Sequence, residues 1–105
     1  MIDPDGFPVE ADRLATQLGI GFDLDGVARV QEALAARPTE ALAVAAGCYV
    51  GEVLRRLVGG TWAADGTLVG VGQVAETSPL AKARSGEDLV TYARQVVDIA
   101  GTNRT

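Results

Sequence analysis

Residues 40–66 read EALAVAAGCYVGEVLRRLVGGTWAADG, a long helical pattern followed by two glycines and the start of a hairpin. Thr39 is a preferred helix-capping residue, and the apolar side chains after it recur at helical spacing, which predicts one helix from Glu40 to Val58. Gly59-Gly60 ends that helix, because glycine readily adopts the backbone conformations that terminate helices. The predicted inward-facing side chains are Leu42, Ala46, Tyr49, Val50, Val53, Leu54 and Leu57.

The residues after the two glycines predict a β-hairpin. Asp65-Gly66 separates two apolar runs at residues 61–64 and 67–74, and this dipeptide favours a two-residue turn between antiparallel strands. In that register Trp62 faces Val69 across the two strands.

A second pattern on the long helix consists of small residues, since Ala43, Gly47 and Gly51 recur every four positions. Glycine inside a helix costs about 1 kcal/mol relative to alanine, so two of them indicate a packing reason. We expect close contact with a neighbouring helix or with the sheet. A homodimer through the same three residues is the alternative.

The flanking segments predict four more helices, at about residues 9–18, 27–37, 79–84 and 87–100. Asp25 is the expected cap of the second helix, and Ser85, with Asp88 completing a capping box, is the expected cap of the last. Residues 20–24 alternate in polarity, which fits either a short strand or a loop. An irregular lead-in is expected over residues 1–8, and a frayed tail over residues 101–105.

These elements together predict one α+β domain that spans residues 1–105. Four to five helices pack around a β-hairpin of two or three antiparallel strands.

The composition excludes several classes of function. The chain has no histidine, one cysteine, and a net charge of −5 from 9 basic and 14 acidic side chains. Without histidine there is no Ser–His or Cys–His nucleophile pair, and a single thiol cannot supply the usual zinc ligands. The acidic balance argues against binding nucleic acid. We therefore expect a protein that is not an enzyme and that uses no metal or cofactor.

The compartment is also suggested by composition. The first residues are acidic where a signal peptide is basic, and the longest apolar run, residues 41–50, is shorter than the roughly 18 residues of a membrane span. Cys48 is the only cysteine, so it cannot form an internal disulfide. Eight arginines against one lysine are typical of a high-GC bacterial genome. We expect a cytoplasmic bacterial protein that does not bind a membrane.

Residues 22–27, FDLDGV, resemble the first motif of haloacid-dehalogenase-type phosphatases. The resemblance implies that Asp23 attacks a phosphoryl group, that Asp25 is the acid/base, and that Mg²⁺ bridges them. The buried strand that precedes the family's motif is missing here. The same residues also resemble a calcium loop without its leading aspartate. We favour the simpler interpretation, in which these carboxylates belong to a loop that caps a helix.

Glu52 is the most unusual side chain of the long helix, because it lies between apolar neighbours. It is either a surface ion-pair partner of Arg55 or Arg56, or a partly buried anchor for the loop before Trp62. An aromatic pair of Tyr49 and Trp62 with one carboxylate would also suit a cationic or polar small molecule.

The aromatic-x-Gly-Glu segment at residues 49–52, followed by Gly-Gly-x-Trp at residues 59–62, resembles small bacterial proteins of unknown function. The likeness spans about residues 23–100, and it continues through a hairpin, a turn that begins with proline and a final helix. It implies an α+β fold and assigns no catalytic residue.

The leading hypothesis for function is a non-catalytic module that binds another protein, as an accessory or immunity-like factor. Residues 1–54 carry nine acidic and three basic side chains, a net charge of −6, whereas residues 55–105 carry a net charge of +1. An acidic surface of this kind would attract a partner with a basic face. The candidate surface comprises Tyr49, Glu52, Arg55, Arg56, Trp62, Asp23 and Asp25. A small-molecule site around Tyr49, Glu52 and Trp62 is the alternative, and a Mg²⁺-dependent phosphatase at Asp23 and Asp25 is a remote one.

Overall fold

The computed structural model describes residues 6–71 and 74–101. Its elements are, in order, α1 (Gly6–Leu18), α2 (Leu24–Ala36), α3 (Glu40–Val58), β1 (Thr61–Trp62), β2 (Leu68–Val71), β3 (Val74–Thr77), α4 (Pro79–Arg84) and α5 (Leu89–Gly101). The predicted α+β class is confirmed, because the described residues form five helices and one small three-stranded antiparallel sheet. Among the described residues, no helix is both long enough and apolar enough to cross a bilayer.

Helix α3 is the centre of the fold. It contacts the other four helices and strand β2, and every residue from Ala46 to Leu54 is buried. Its predicted bounds and cap are confirmed, because Thr39 Oγ1 accepts a hydrogen bond from the Leu42 N–H at 3.1 Å. The prediction that Leu57 faces inward is wrong. That side chain is 45% exposed, because the last turn of α3, from Arg55 to Leu57, lies at the surface.

The small residues of α3 pack inside the chain, as the close-contact interpretation predicts. A Cβ atom at Gly47 would lie 2.6 Å from the Leu80 Cα of α4, and one at Gly51 would lie 2.1 Å from Cη2 of Trp62. Ala43 is buried as well. Helix α4 and the indole ring therefore cover the two glycines, and a homodimer through these residues would require that packing to open.

The three-stranded sheet has the order β1-β2-β3 with antiparallel neighbours. The predicted two-residue turn is wrong by one residue. Ala63 pairs with Thr67 through a 2.8 Å hydrogen bond, so the loop has three residues and ends on Gly66 at a φ of +87°, a typical three-residue hairpin geometry. Trp62 consequently pairs with Leu68 and not with Val69. The predicted second strand is also divided, since Val74 begins β3, and residues 72–73 lie outside the described part.

Helix α1 begins earlier than predicted, at Gly6. Residues 6–8 therefore belong to a helix and not to an irregular lead-in, and residues 1–5 lie outside the described part. Phe7 is buried, with its ring centroid 4.7 Å from that of Trp62. Leu18, the last residue of the helix, is 36% exposed.

The caps of α2 and α5 also differ from those predicted. Helix α2 begins at Leu24, and Asp23, not Asp25, is its N-cap, since Asp23 Oδ1 accepts from the Gly26 N–H at 2.7 Å. Residues 20–23 are consequently a loop and not a strand. Asp88 caps α5 by accepting from the Thr91 N–H at 3.0 Å, whereas Ser85 ends α4. Most of the predicted tail, residues 102–105, lies outside the described part.

Candidate functional site

A buried carboxylate lies at the centre of the predicted site. Glu52 is 1% exposed, and it is the only buried charged side chain among residues 6–71 and 74–101. Its carboxylate accepts hydrogen bonds from Arg55 Nε at 2.7 Å, from Arg55 Nη2 at 3.0 Å and from Trp62 Nε1 at 2.9 Å. Arg56 Nε lies 3.9 Å away. Glu52 therefore ties the last turns of α3 to the strand that follows the two glycines.

Two opposing effects set the pKa of Glu52. Burial is the largest single influence and raises the pKa, because it disfavours the charged form. The hydrogen bonds from Arg55 and Trp62, together with the charges of Arg55 and Arg56, outweigh burial and hold the pKa of Glu52 below its ordinary value. The hydrogen bond to Glu52 correspondingly raises the pKa of Arg55. Glu52 is therefore an ionised group at neutral pH and is paired within the chain.

Aromatic rings extend this cluster towards the loop between α1 and α2. Phe22 stacks on Tyr49 with a centroid separation of 5.2 Å, and the Arg56 guanidinium lies 3.9 Å from the centroid of the Phe22 ring. The Tyr49 hydroxyl donates to the carbonyl oxygen of Gly21. Phe22 was not among the predicted site residues. Its position immediately before the helix cap Asp23 is a signal that could have found it, because an apolar residue at this position commonly packs against an apolar residue of the helix that follows.

The structure brings most of the predicted site residues together, but it divides them between the interior and the surface. Tyr49 and Trp62 are buried with Glu52, whereas the side chains of Arg55 and Arg56 are 41% and 51% exposed. Exposed carboxylates lie on the neighbouring loop and on the first turn of α2, at Asp23 and Asp25. Asp23 lies close enough to Tyr49 for its charge to help raise the pKa of that phenol, to which burial contributes most.

The polar atoms of this cluster are engaged by the chain itself. The Glu52 carboxylate has three donors, the Trp62 N–H has its acceptor and the Tyr49 hydroxyl has the Gly21 carbonyl. Asp23 is likewise occupied as a helix cap. The described residues include no group of three metal-ligating side chains. The arrangement stabilises the fold by joining α3, β1 and the loop before α2.

Two grooves lie on the surface away from the cluster around Glu52. A groove of about 430 Å³ runs between the α2–α3 turn and the α4–α5 turn, and a smaller one of about 310 Å³ lies beside Leu14 and Leu42. The larger groove has apolar side chains at Leu34, Ala43 and Leu89, and an ion pair at its edge between Glu40 and Arg84 at 2.8 Å. Sequence reasoning missed it, because it forms only where two turns distant in sequence come together.

No family model, no curated protein and no solved structure matches this chain. The resemblance to small bacterial proteins with a Gly-Gly-x-Trp hairpin stays a prediction.

Proposed function

We propose that this protein is a non-catalytic binding module of the bacterial cytoplasm, an accessory or immunity-like factor that recognises a partner with a basic face. The observation that carries the proposal concerns the exposed side of α2. Asp25 and Glu32 are seven residues apart, so they lie on the same face of that helix. Both are exposed, and none of the ion pairs among the described residues includes either of them.

The distribution of charge supports a basic partner. The excess of acidic residues lies in the first 54 positions, and the described part of that half includes α1, α2 and the start of α3. Arg13 is paired with Glu10 at 3.3 Å, so it does not neutralise the carboxylates of α2. Arg29 is exposed on α2 within one turn of both Asp25 and Glu32, so this face keeps an excess of one negative charge. An excess of surface charge of one sign raises the rate at which an oppositely charged partner associates.

The buried cluster around Glu52 supports a binding function without catalysis. A catalytic or ligand-binding carboxylate lies within hydrogen-bond reach of its substrate, whereas Glu52 is buried and accepts three hydrogen bonds within the chain. Asp23, the nucleophile in the phosphatase interpretation, accepts the N-cap hydrogen bond of α2. Both carboxylates thus have structural roles that account for their positions.

Affinity capture from the native host, followed by affinity measurement with the purified partner, tests the proposal. Binding is expected to weaken with added salt, because exposed charges are screened over a Debye length of about 8–10 Å at physiological ionic strength. Asp25→Lys/Glu32→Lys is expected to weaken binding by about tenfold or more. The matched control, Glu76→Lys/Asp98→Lys, changes the net charge equally on β3 and α5, and it is expected to bind nearly as well as the unaltered protein.

Circular dichroism establishes that both double variants remain folded before their affinities are compared. A complex that resists salt, or one that the two double variants weaken equally, contradicts recognition through the exposed face of α2.

A further inference from the structure

The groove between the α2–α3 turn and the α4–α5 turn has an apolar floor. Ala43 and Ala83 are buried at its base, Leu89 is fully buried beside them, and Leu34 of α2 is half-buried. The alanines leave space that larger side chains would fill, and the volume of about 430 Å³ lies within the range of about 300–1,000 Å³ found for pockets that hold organic groups. An apolar side chain of leucine or phenylalanine size has room to enter.

The rim of this groove is acidic. Glu40, Glu87 and Asp88 line it, and Arg84 is its only basic lining residue. Two of the three carboxylates belong to ion pairs, Glu40 with Arg84 and Glu87 with Lys82. Asp88 belongs to no ion pair among the described residues, so the rim retains a net negative charge.

The charge of Asp88 is kept in place by a hydrogen bond. The backbone N–H of Thr91 holds the pKa of Asp88 below its ordinary value, so Asp88 is ionised at neutral pH. Glu32 does not line the groove. It is next in sequence to Gln31, which does, and consecutive helical residues point about 100° apart, so the acidic face of α2 lies beside the groove.

We infer that the groove receives an apolar side chain of the partner, from a segment in which lysine or arginine residues flank that side chain. The inference rests on the proposed function, whose partner carries a basic face, and it names the part of the partner that is buried. Interfaces typically concentrate their affinity in a few side chains that fill a pocket, surrounded by a polar rim. The buried apolar floor of the groove suits the apolar side chain of such a segment. The negatively charged rim suits the lysine or arginine residues that flank it.

Three short peptides test the inference without knowledge of the natural partner: acetyl-Lys-Leu-Lys-amide, acetyl-Lys-Ser-Lys-amide and acetyl-Glu-Leu-Glu-amide. Each is titrated into the ¹⁵N-labelled protein and followed by NMR. The first peptide is expected to bind about tenfold more tightly than either of the others, because only it combines the apolar anchor with the favourable charge. Its chemical-shift changes are expected at amides that line the groove, including those of Leu34, Ala35 and Leu89.

Two tryptophan variants locate the binding. Ala35 is exposed and lines the groove, so Ala35→Trp is expected to fill it and to weaken Lys-Leu-Lys binding by about tenfold or more. Ala36 is the next residue of the same helix, is also exposed, and does not line the groove, so Ala36→Trp is expected to leave the affinity nearly unchanged. The inference is overturned if Lys-Leu-Lys does not bind, if Lys-Ser-Lys binds equally well, or if Ala35→Trp has no effect.

The same variants separate this inference from the proposed function. If the captured partner depends on Asp25 and Glu32 but binds Ala35→Trp normally, the proposed function stands and the groove is not part of the interface. If Lys-Leu-Lys binds in the groove but no salt-sensitive partner is captured, the groove is a site and the proposed function is wrong.

Discussion

Arg55→Met is expected to lower the free energy of unfolding by about 3 kcal/mol, a substantial fraction of the stability of about 5–15 kcal/mol that is typical of native proteins. The reason is the position of Glu52, whose carboxylate is 1% exposed and takes two of its three hydrogen bonds from Arg55. Without Arg55 that charge stays buried with only the Trp62 N–H as a close donor. Urea unfolding followed by circular dichroism and by Trp62 fluorescence measures the loss.

Arg56→Met is the matched control for this prediction. Arg56 has the same charge and is the next residue, but its Nε lies 3.9 Å from Glu52 Oε1, and its guanidinium stacks on Phe22. We expect a loss of about 1 kcal/mol or less. Equal losses for the two variants would mean that the net charge near Glu52 matters and that the paired hydrogen bonds from Arg55 do not.

Gly51→Ala is expected to destabilise the protein by about 2 kcal/mol, although the same change in an unconstrained helix stabilises by about 1 kcal/mol. The new Cβ would lie 2.1 Å from Cη2 and 2.3 Å from Cζ2 of Trp62. The ring cannot easily withdraw, because its N–H is bonded to Glu52 and Phe7 packs beside it. Thermal and urea unfolding measure the change.

Making Gly51→Ala in a second variant of the protein isolates the cause of the lost stability. In Trp62→Leu the large ring is absent, so Gly51→Ala is expected to be neutral or stabilising there. Gly21→Ala is the control for adding a methyl group elsewhere, since the nearest atom to its Cβ, Asp23 Oδ2, is at 3.7 Å, and its effect is expected within about 0.5 kcal/mol. If Gly51→Ala costs the same with and without the indole ring, contact between Gly51 and Trp62 is not the reason for the glycine.

Local signals predicted those parts of the fold that depend on neighbouring residues. The bounds of α3 followed from the Thr39 cap and the two closing glycines, and the start of α4 at Pro79 agrees with the preference of proline for the first turn of a helix. The glycines of α3 also indicated close packing correctly, because an unfavourable helix residue repeated at one spacing needs a compensating contact.

The parts that sequence reasoning missed depend on contacts between distant residues. The hairpin register shifted by one because Gly66, with a positive φ, closes a three-residue loop, and the dipeptide Asp65-Gly66 is compatible with either loop length. Phe7 lies beside Trp62 although 55 positions separate them in sequence, so no local pattern could relate them.

In the candidate site, too, the sequence predicted what depends on neighbouring residues and missed what depends on contacts between distant ones. The sequence indicated that Glu52 can pair with Arg55 or Arg56, because helical spacing brings the three to one side of α3. It offered an anchor for the loop before Trp62 as the alternative role of Glu52. It left open whether Glu52 is at the surface or buried, since that depends on how the strand after Gly60 returns across the helix. The larger groove forms only where α2 packs against α5, and no sequence motif predicts that contact.

Glu52 is an ionised structural group that accepts its hydrogen bonds from Arg55 and Trp62. Its folded-state pKa lies below the unfolded value, so the stability it contributes is present above the unfolded pKa and is lost as the pH falls through the folded pKa. Titration of the side-chain carboxyl carbon of Glu52 by ¹³C NMR, with Glu52→Gln to assign the signal, measures this pKa directly. We expect a value below that of an ordinary glutamate. A value at or above the ordinary one would contradict it, because burial without the Arg55 and Trp62 hydrogen bonds raises the pKa of a carboxyl group.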